Sequence, residues 1–103
     1  MRIVNELAIG RFIRKHGDSQ TWLESWLIVA RSATWQSIQD VKLAYSTVDG
    51  GVRVASGARV TVFDVSGNKY RMIADLVYPI QTITVLELMT HAEYSKNLWK
   101  RRY

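Results

Sequence analysis

The stretch Lys69-Tyr70-Arg71-Met72-Ile73-Ala74-Asp75-Leu76-Val77-Tyr78 decides the fold. Side chains alternate across a strand, so Tyr70, Met72, Ala74, Leu76 and Tyr78 fall on one face. Lys69, Arg71, Ile73, Asp75 and Val77 fall on the other. The first face is apolar along its whole length and needs a cover. The second mixes cations with Ile73 and Val77, which places Lys69 and Arg71 at a rim or at the end of a groove. Upstream, Ala58 to Val65 repeats the alternation with β-branched residues, and Ser66-Gly67-Asn68 joins the two runs tightly. Downstream, Pro79-Ile80-Gln81 turns the chain into a third run, Thr82 to Met89. Three consecutive strands with short turns predict an antiparallel meander.

Outward from the meander the period changes. Asp49-Gly50-Gly51 and Ser56-Gly57 read as turns leading into the sheet. Arg2-Ile3-Val4 reads as a short first strand. Asn5 suits a helix cap, and Glu6 to Lys15 reads as a helix with Leu7, Ile9, Phe12 and Ile13 on one side, stopped by Gly17. A second helix, capped by Asp18 or Ser19, runs to about Arg31 with Leu23, Leu27 and Ala30 in one stripe beside Trp22, Trp26 and Val29. The two form a helical hairpin, the available cover for the sheet. Trp22, Trp26 and Trp35 are expected in the core. Ser37-Ile38-Gln39-Asp40 is a variant capping box that starts a short helix anchored by Val41 and Tyr45. Thr90-His91-Ala92-Glu93 is a full capping box and starts a last helix, Ala92 to about Trp99. The expectation is an α+β domain: an N-terminal helical hairpin packed on an antiparallel β-sheet meander, with a short C-terminal helix.

The 103 residues suit one domain, 1–103, and 48% hydrophobic residues supply its core. With no cysteine, disulfides and thiolate metal sites are excluded, and a reducing cytoplasm is the expected setting. No signal-peptide pattern follows Met1, and the longest apolar run, Trp26 to Ala30, is too short for a bilayer, so no membrane role is expected. Fourteen Lys and Arg against nine Asp and Glu give a net charge of +5, which favours an anionic partner. A basic surface with no ligand explains the same charge.

Chemistry-bearing residues gather in two segments, Gly67 to Arg71 and Thr90 to Lys96. RNA is cut without a metal when a base takes the 2′-hydroxyl proton, cations stabilise the phosphorane and an acid protonates the departing 5′-oxygen. His91 is the proton carrier, set at a strand-to-helix junction. Lys69 and Arg71 are phosphate ligands, Arg71 with a bidentate grip. Tyr94 stacks on a base or moves a proton, Lys96 binds a phosphate oxygen, and Asn68 reads a base edge or holds the turn. Each also reads plainly as surface or packing. His16, near a helix end, fits a structural role better. No metal-ligand cluster, glycine-rich phosphate loop or Ser-His-Asp arrangement stands out, so no metal or cofactor is expected.

Gly67-Asn68-Lys69-Tyr70-Arg71-Met72-Ile73 followed by Thr90-His91-Ala92-Glu93-Tyr94-Ser95-Lys96 resembles the HigB toxins of bacterial toxin–antitoxin systems, in the RelE-like superfamily. The Met1-Arg2-Ile3-Val4 opening, Trp35 before Ser37 to Asp40, and Tyr45 to Asp49 add to it. The resemblance implies a messenger-RNA-cleaving toxin, an endoribonuclease acting on the ribosome. It implies a helix-turn-helix antitoxin partner, with operator DNA reached only through that antitoxin. It places catalysis at His91, Arg71, Lys69 and Tyr94, and RNA binding at Asn68 and Lys96. Ser95 stands where family members commonly carry Asp. A non-catalytic RNA- or ribosome-binding module, or an antitoxin-bound corepressor, remains the alternative.

Overall fold

The computed structural model describes residues 1–103. Strand β1 (Arg2–Val4) leads into helix α1 (Leu7–Lys15), a 3-10 turn (Gly17–Ser19) and helix α2 (Gln20–Ser32). Helix α3 (Ile38–Ala44) precedes four strands: β2 (Asp49–Arg53), β3 (Arg59–Val65), β4 (Tyr70–Val77) and β5 (Thr82–Thr90). Helix α4 (His91–Ser95) and a 3-10 turn (Leu98–Arg102) close the chain. The sheet order is β1-β5-β4-β3-β2, with β1 parallel to β5 and all other pairs antiparallel. The α+β class and the meander are as expected. The first strand forms as read and pairs with β5, and one further strand, β2, widens the sheet to five.

The extra width corrects the reading of Asp49-Gly50-Gly51 as a turn. Gly50 lies in β2 because α3 packs directly on it: a Cβ there would come within 2.5 Å of Ile38 Cδ1. The missing side chain serves close approach, not reversal. A register shift between Asp49 and Val52 absorbs the irregularity.

The alternation of β4 holds. Tyr70, Met72 and Ala74 join Ile9, Phe12, Leu23, Trp26, Trp35, Phe63 and Ile83 in the main core, between the sheet and the helices. A second, smaller cluster on the opposite face holds Val54, Val60, Val62, Ile73, Met89 and Trp99. The last helix was expected to run unbroken to Trp99. Instead Asn97 takes the left-handed conformation (φ 61) and ends it. The break redirects the chain so that Trp99 is buried on the second face, its Nε1 donating to the Tyr94 carbonyl at 3.2 Å.

Several caps differ from expectation. Asn5 has φ 68 and donates from Nδ2 to the Val85 carbonyl at 2.8 Å, binding the start of α1 to β5 instead of capping it. Ser19 Oγ donates backwards to His16 O, and Asp18 turns towards the sheet. Ser37 makes no side-chain cap, and Asp40 accepts from the Gln36 amide at 2.9 Å. The Thr90 box forms as predicted: Thr90 Oγ1 accepts from the Glu93 amide, and Glu93 Oε1 accepts from the Thr90 amide, both at 3.2 Å.

Candidate functional site

The β3–β4 hairpin sets the geometry of the site. Its register pairs Val65 with Tyr70 and therefore Asp64 with Arg71. Cross-strand neighbours of opposite charge attract, and Arg71 Nε lies 2.9 Å from Asp64 Oδ1. The rest of the guanidinium is also engaged. Nη1 donates to the carbonyls of Asn68 (3.3 Å) and Tyr70 (3.0 Å), and Nη2 donates to Asn68 Oδ1. Arg71 is 7% exposed. Sequence reasoning placed it on a rim as an open phosphate grip. Instead it is buried and holds its own turn together, because burial of a guanidinium requires a carboxylate and carbonyls to satisfy its donors.

Helix α4 lays Tyr94 against this cluster. The Arg71 guanidinium carbon is 5.4 Å from the centre of the Tyr94 ring, a cation–π contact. The Trp99 ring stacks on Tyr94 at 5.5 Å and 18°. Burial is the main force raising the Tyr94 hydroxyl above the usual tyrosine range, and the carboxylates of Asp49 and Asp64 add to it. The positive charge of Arg71 opposes them. The Tyr94 hydroxyl makes no hydrogen bond within the fold and is not among the buried unpartnered atoms.

His91 opens α4, with an exposed side chain. Its backbone N–H donates to the Lys69 carbonyl at 3.0 Å, which fixes the junction to the β3–β4 turn. Positions three apart on a helix are neighbours, so His91 shares its side of α4 with Tyr94. Asn68 lies in the turn, its Oδ1 accepting from Arg71 Nη2 and its Nδ2 free.

The two lysines stand apart. Lys69 does not share the Arg71 face. It precedes β4, and its Nζ reaches Asp18 Oδ2 at 3.1 Å on the helix side. Tyr70 donates to the other oxygen of Asp18 at 2.6 Å. These two hydrogen bonds hold the Asp18 carboxyl below its usual range. Lys96 is two residues from Tyr94, and such positions do not face one way on a helix. It lines a shallow recess with Glu93, Leu98, Trp99 and Arg102.

Sequence reasoning missed Asp64, Asp49, Asp18 and Trp99. Asp64 was readable: once Val65 and Tyr70 flank the turn, it must lie opposite Arg71. Asp18 gave no such signal, since only the tertiary fold brings it to the start of β4.

An open cleft of ≈ 530 Å³ adjoins the cluster, lined by Trp22, Ala44, Tyr45, Ser46, Thr47, Asp64, Gly67 and Asn68. No helix is long and apolar enough to cross a membrane. No curated protein matches the chain. The family model for the HigB toxin, the RelE-like toxic component of a toxin-antitoxin system, matches residues 19–97, a span that takes in the hairpin, the Arg71 cluster and α4. The chain therefore belongs to the HigB toxin family, the RelE-like toxic components of toxin–antitoxin systems, and its partner is an antitoxin.

Proposed function

We propose that this toxin is an endoribonuclease that cuts messenger RNA on the translating ribosome by metal-independent proton transfer. Tyr94 carries the reading. A tyrosine with an unpartnered hydroxyl lies beside a buried guanidinium and one helical turn from an exposed imidazole. Such a donor–acceptor pair is what transesterification of RNA needs.

In the proposed step the His91 imidazole takes the proton of a ribose 2′-hydroxyl. The freed oxygen attacks the adjoining phosphorus, the bond to the 5′-oxygen breaks, and Tyr94 gives its proton to that departing oxygen. The products are a 2′,3′-cyclic phosphate and a 5′-hydroxyl. His91 returns its proton to Tyr94 through solvent. Arg71 stabilises the phenolate that Tyr94 briefly becomes, because its charge favours the ionised ring. Arg71 also fixes the Asn68 turn. Asn68 and Lys96 contact the RNA on the two flanks of the site, and Lys69 adds positive potential from the helix side. The partner is a helix-turn-helix antitoxin, and operator DNA is reached only through it.

Mapping RNA ends after brief induction tests this reading. Wild type is expected to create new ends within messages, with ribosomes present. His91→Gln is expected to lose about 10²–10⁴-fold in cleavage rate while staying folded. Intact messages under wild-type growth arrest would overturn it. One observation favours a second reading, a non-catalytic RNA- or ribosome-binding module: Arg71 pairs with Asp64, donates to Asn68 and Tyr70, and keeps only one Nη2 N–H without a partner, too few for a bidentate grip on a phosphate. Blocked translation on uncut messages is the outcome that reading expects.

A further inference from the structure

The cleft beside the Arg71 cluster differs from the cluster in one respect. Most donors of Arg71 are used within the fold, whereas the polar side-chain atoms lining the cleft are free. Trp22 Nε1, the Tyr45 hydroxyl, Ser46 Oγ, Thr47 Oγ1 and Asn68 Nδ2 make no hydrogen bond, and neither does Asp64 Oδ2. At ≈ 530 Å³ the cleft lies within the roughly 300–1,000 Å³ range of small-ligand sites. Two half-buried aromatic rings form one wall, Trp22 and Tyr45, with centroids 5.5 Å apart and tilted at 48°. Aromatic faces with adjacent polar groups are how single-stranded bases are held. Asp64, Gly67 and Asn68 complete the lining, and two of them, Asp64 and Asn68, also hold Arg71 in place.

We propose that this cleft is a nucleobase subsite that takes a base bearing an exocyclic amino group, adenine, cytosine or guanine, in preference to uracil. The inference rests on the RNA reading of the site and adds where a base next to the reacting phosphate is seated. Selectivity comes from Asp64. Its Oδ1 lies 2.9 Å from Arg71 Nε, while Oδ2 makes no hydrogen bond and is left as an acceptor at the cleft. An ionised carboxylate accepts only, so it favours the N–H₂ groups of those three bases. Uracil presents its one imide N–H between two carbonyl oxygens, which the carboxylate repels. The Tyr45 hydroxyl and Asn68 Nδ2 serve as donors to ring nitrogens and carbonyls.

Titration of the intact protein with AMP, CMP, GMP and UMP, followed by amide and indole NMR shifts, tests this without relying on cleavage. The expected result is saturable movement at the Trp22 indole and at the amides of Ser46, Thr47, Gly67 and Asn68, with UMP about tenfold weaker than the other three. Inorganic phosphate alone should leave these signals in place. Ala44→Trp, at an exposed position on the cleft wall, fills the cleft and should abolish the shifts in a folded protein. Asp64→Asn should keep binding but level the preference. Equal affinity for all four nucleotides, the same shifts with phosphate alone, or undiminished binding by Ala44→Trp would overturn the subsite. Nucleotide binding in the cleft with no RNA cleavage by wild type would refute the ribonuclease reading and leave the subsite standing. Cleavage without nucleotide binding would do the reverse.

Discussion

The two faces of the sheet are built on opposite principles. The helix side is closed by large apolar side chains from α1, α2, β3, β4 and β5, with Leu23, Trp26, Met72 and Ile83 fully buried. The other side buries only a small apolar cluster, and its cover is a short C-terminal segment hung on Trp99. Here a buried arginine and a half-buried tyrosine share the space with that cluster. One face supplies stability. The other accepts polar burial, which costs stability and creates reactive side chains. The proposed chemistry lies where the packing is thinner.

The sharpest way to break this contrast is the same substitution on each side. Trp26→Ala should cost about 3–5 kcal/mol, enough to unfold much of the population, as measured by urea denaturation. Trp99→Ala should cost less, although Trp99 is only 1% exposed, because the terminal segment can lift off and leave the sheet intact. It should still abolish growth arrest, since Tyr94 loses its stacking partner. Equal losses of stability would mean that the two clusters form one cooperative core.

Next in size is the buried ion pair. Arg71→Ala removes the ion pair with Asp64, three hydrogen bonds and the charge beneath Tyr94. We expect a loss of about 1–3 kcal/mol together with loss of toxicity. Arg71→Lys separates the roles. Lysine keeps the charge but cannot reproduce the planar fork, so stability should fall and toxicity should recover only partly. Full toxicity in folded Arg71→Ala would remove Arg71 from the site.

The contrast between the faces also accounts for what could be read in advance. On the helix side, period-two alternation in β4 and the stripe of α2 report burial directly, and Tyr70, Met72, Leu23 and Trp26 all lie where their spacing put them. On the other side, pattern fails because the decisive facts are pairings. The exposure of Arg71 depended on Asp64, a neighbour only through hairpin register. Lys69 depended on Asp18, 51 residues earlier. The path of the tail depended on Asn97, whose left-handed backbone no charge or hydropathy pattern announces. Gly50 misled for a related reason. A glycine signals either a turn or a close approach, and only the presence of Ile38 tells which.

The hold of the C-terminal segment can be probed by pH. The Tyr103 hydroxyl donates to Glu87 Oε1 at 2.9 Å, and burial and that carboxylate push it up to about 12. A folded value above the unfolded one, about 10, favours the protonated form in the fold. The contribution is therefore complete below pH 10 and is lost as pH rises through about 12. Arg102 also pairs with Glu87, so the segment should loosen in that window while the main core persists. Near-ultraviolet circular dichroism should show this step in wild type, and Tyr103→Phe should lack it. A step of unchanged size in Tyr103→Phe would assign it to the other tyrosines.

The smallest effect belongs to the pair that crosses between the two sides. Lys69 and Asp18 are both largely solvated, and exposed ion pairs contribute little to stability. Asp18 has its carboxyl lowered by Tyr70 first and Lys69 second, so its contribution is present above the ordinary aspartate range and is lost as pH falls through its lowered folded value. Lys69→Met should barely move the denaturation midpoint at neutral pH, because Tyr70 still holds Asp18. Its effect on growth arrest is then free of folding artefacts. A clear fall in toxicity would show that the amine leaves Asp18 to meet RNA, extending the site around the hairpin turn to the helix side. Unchanged toxicity would confine the site to the thinner face, with Lys69 acting only as a tie between the turn and the start of α2.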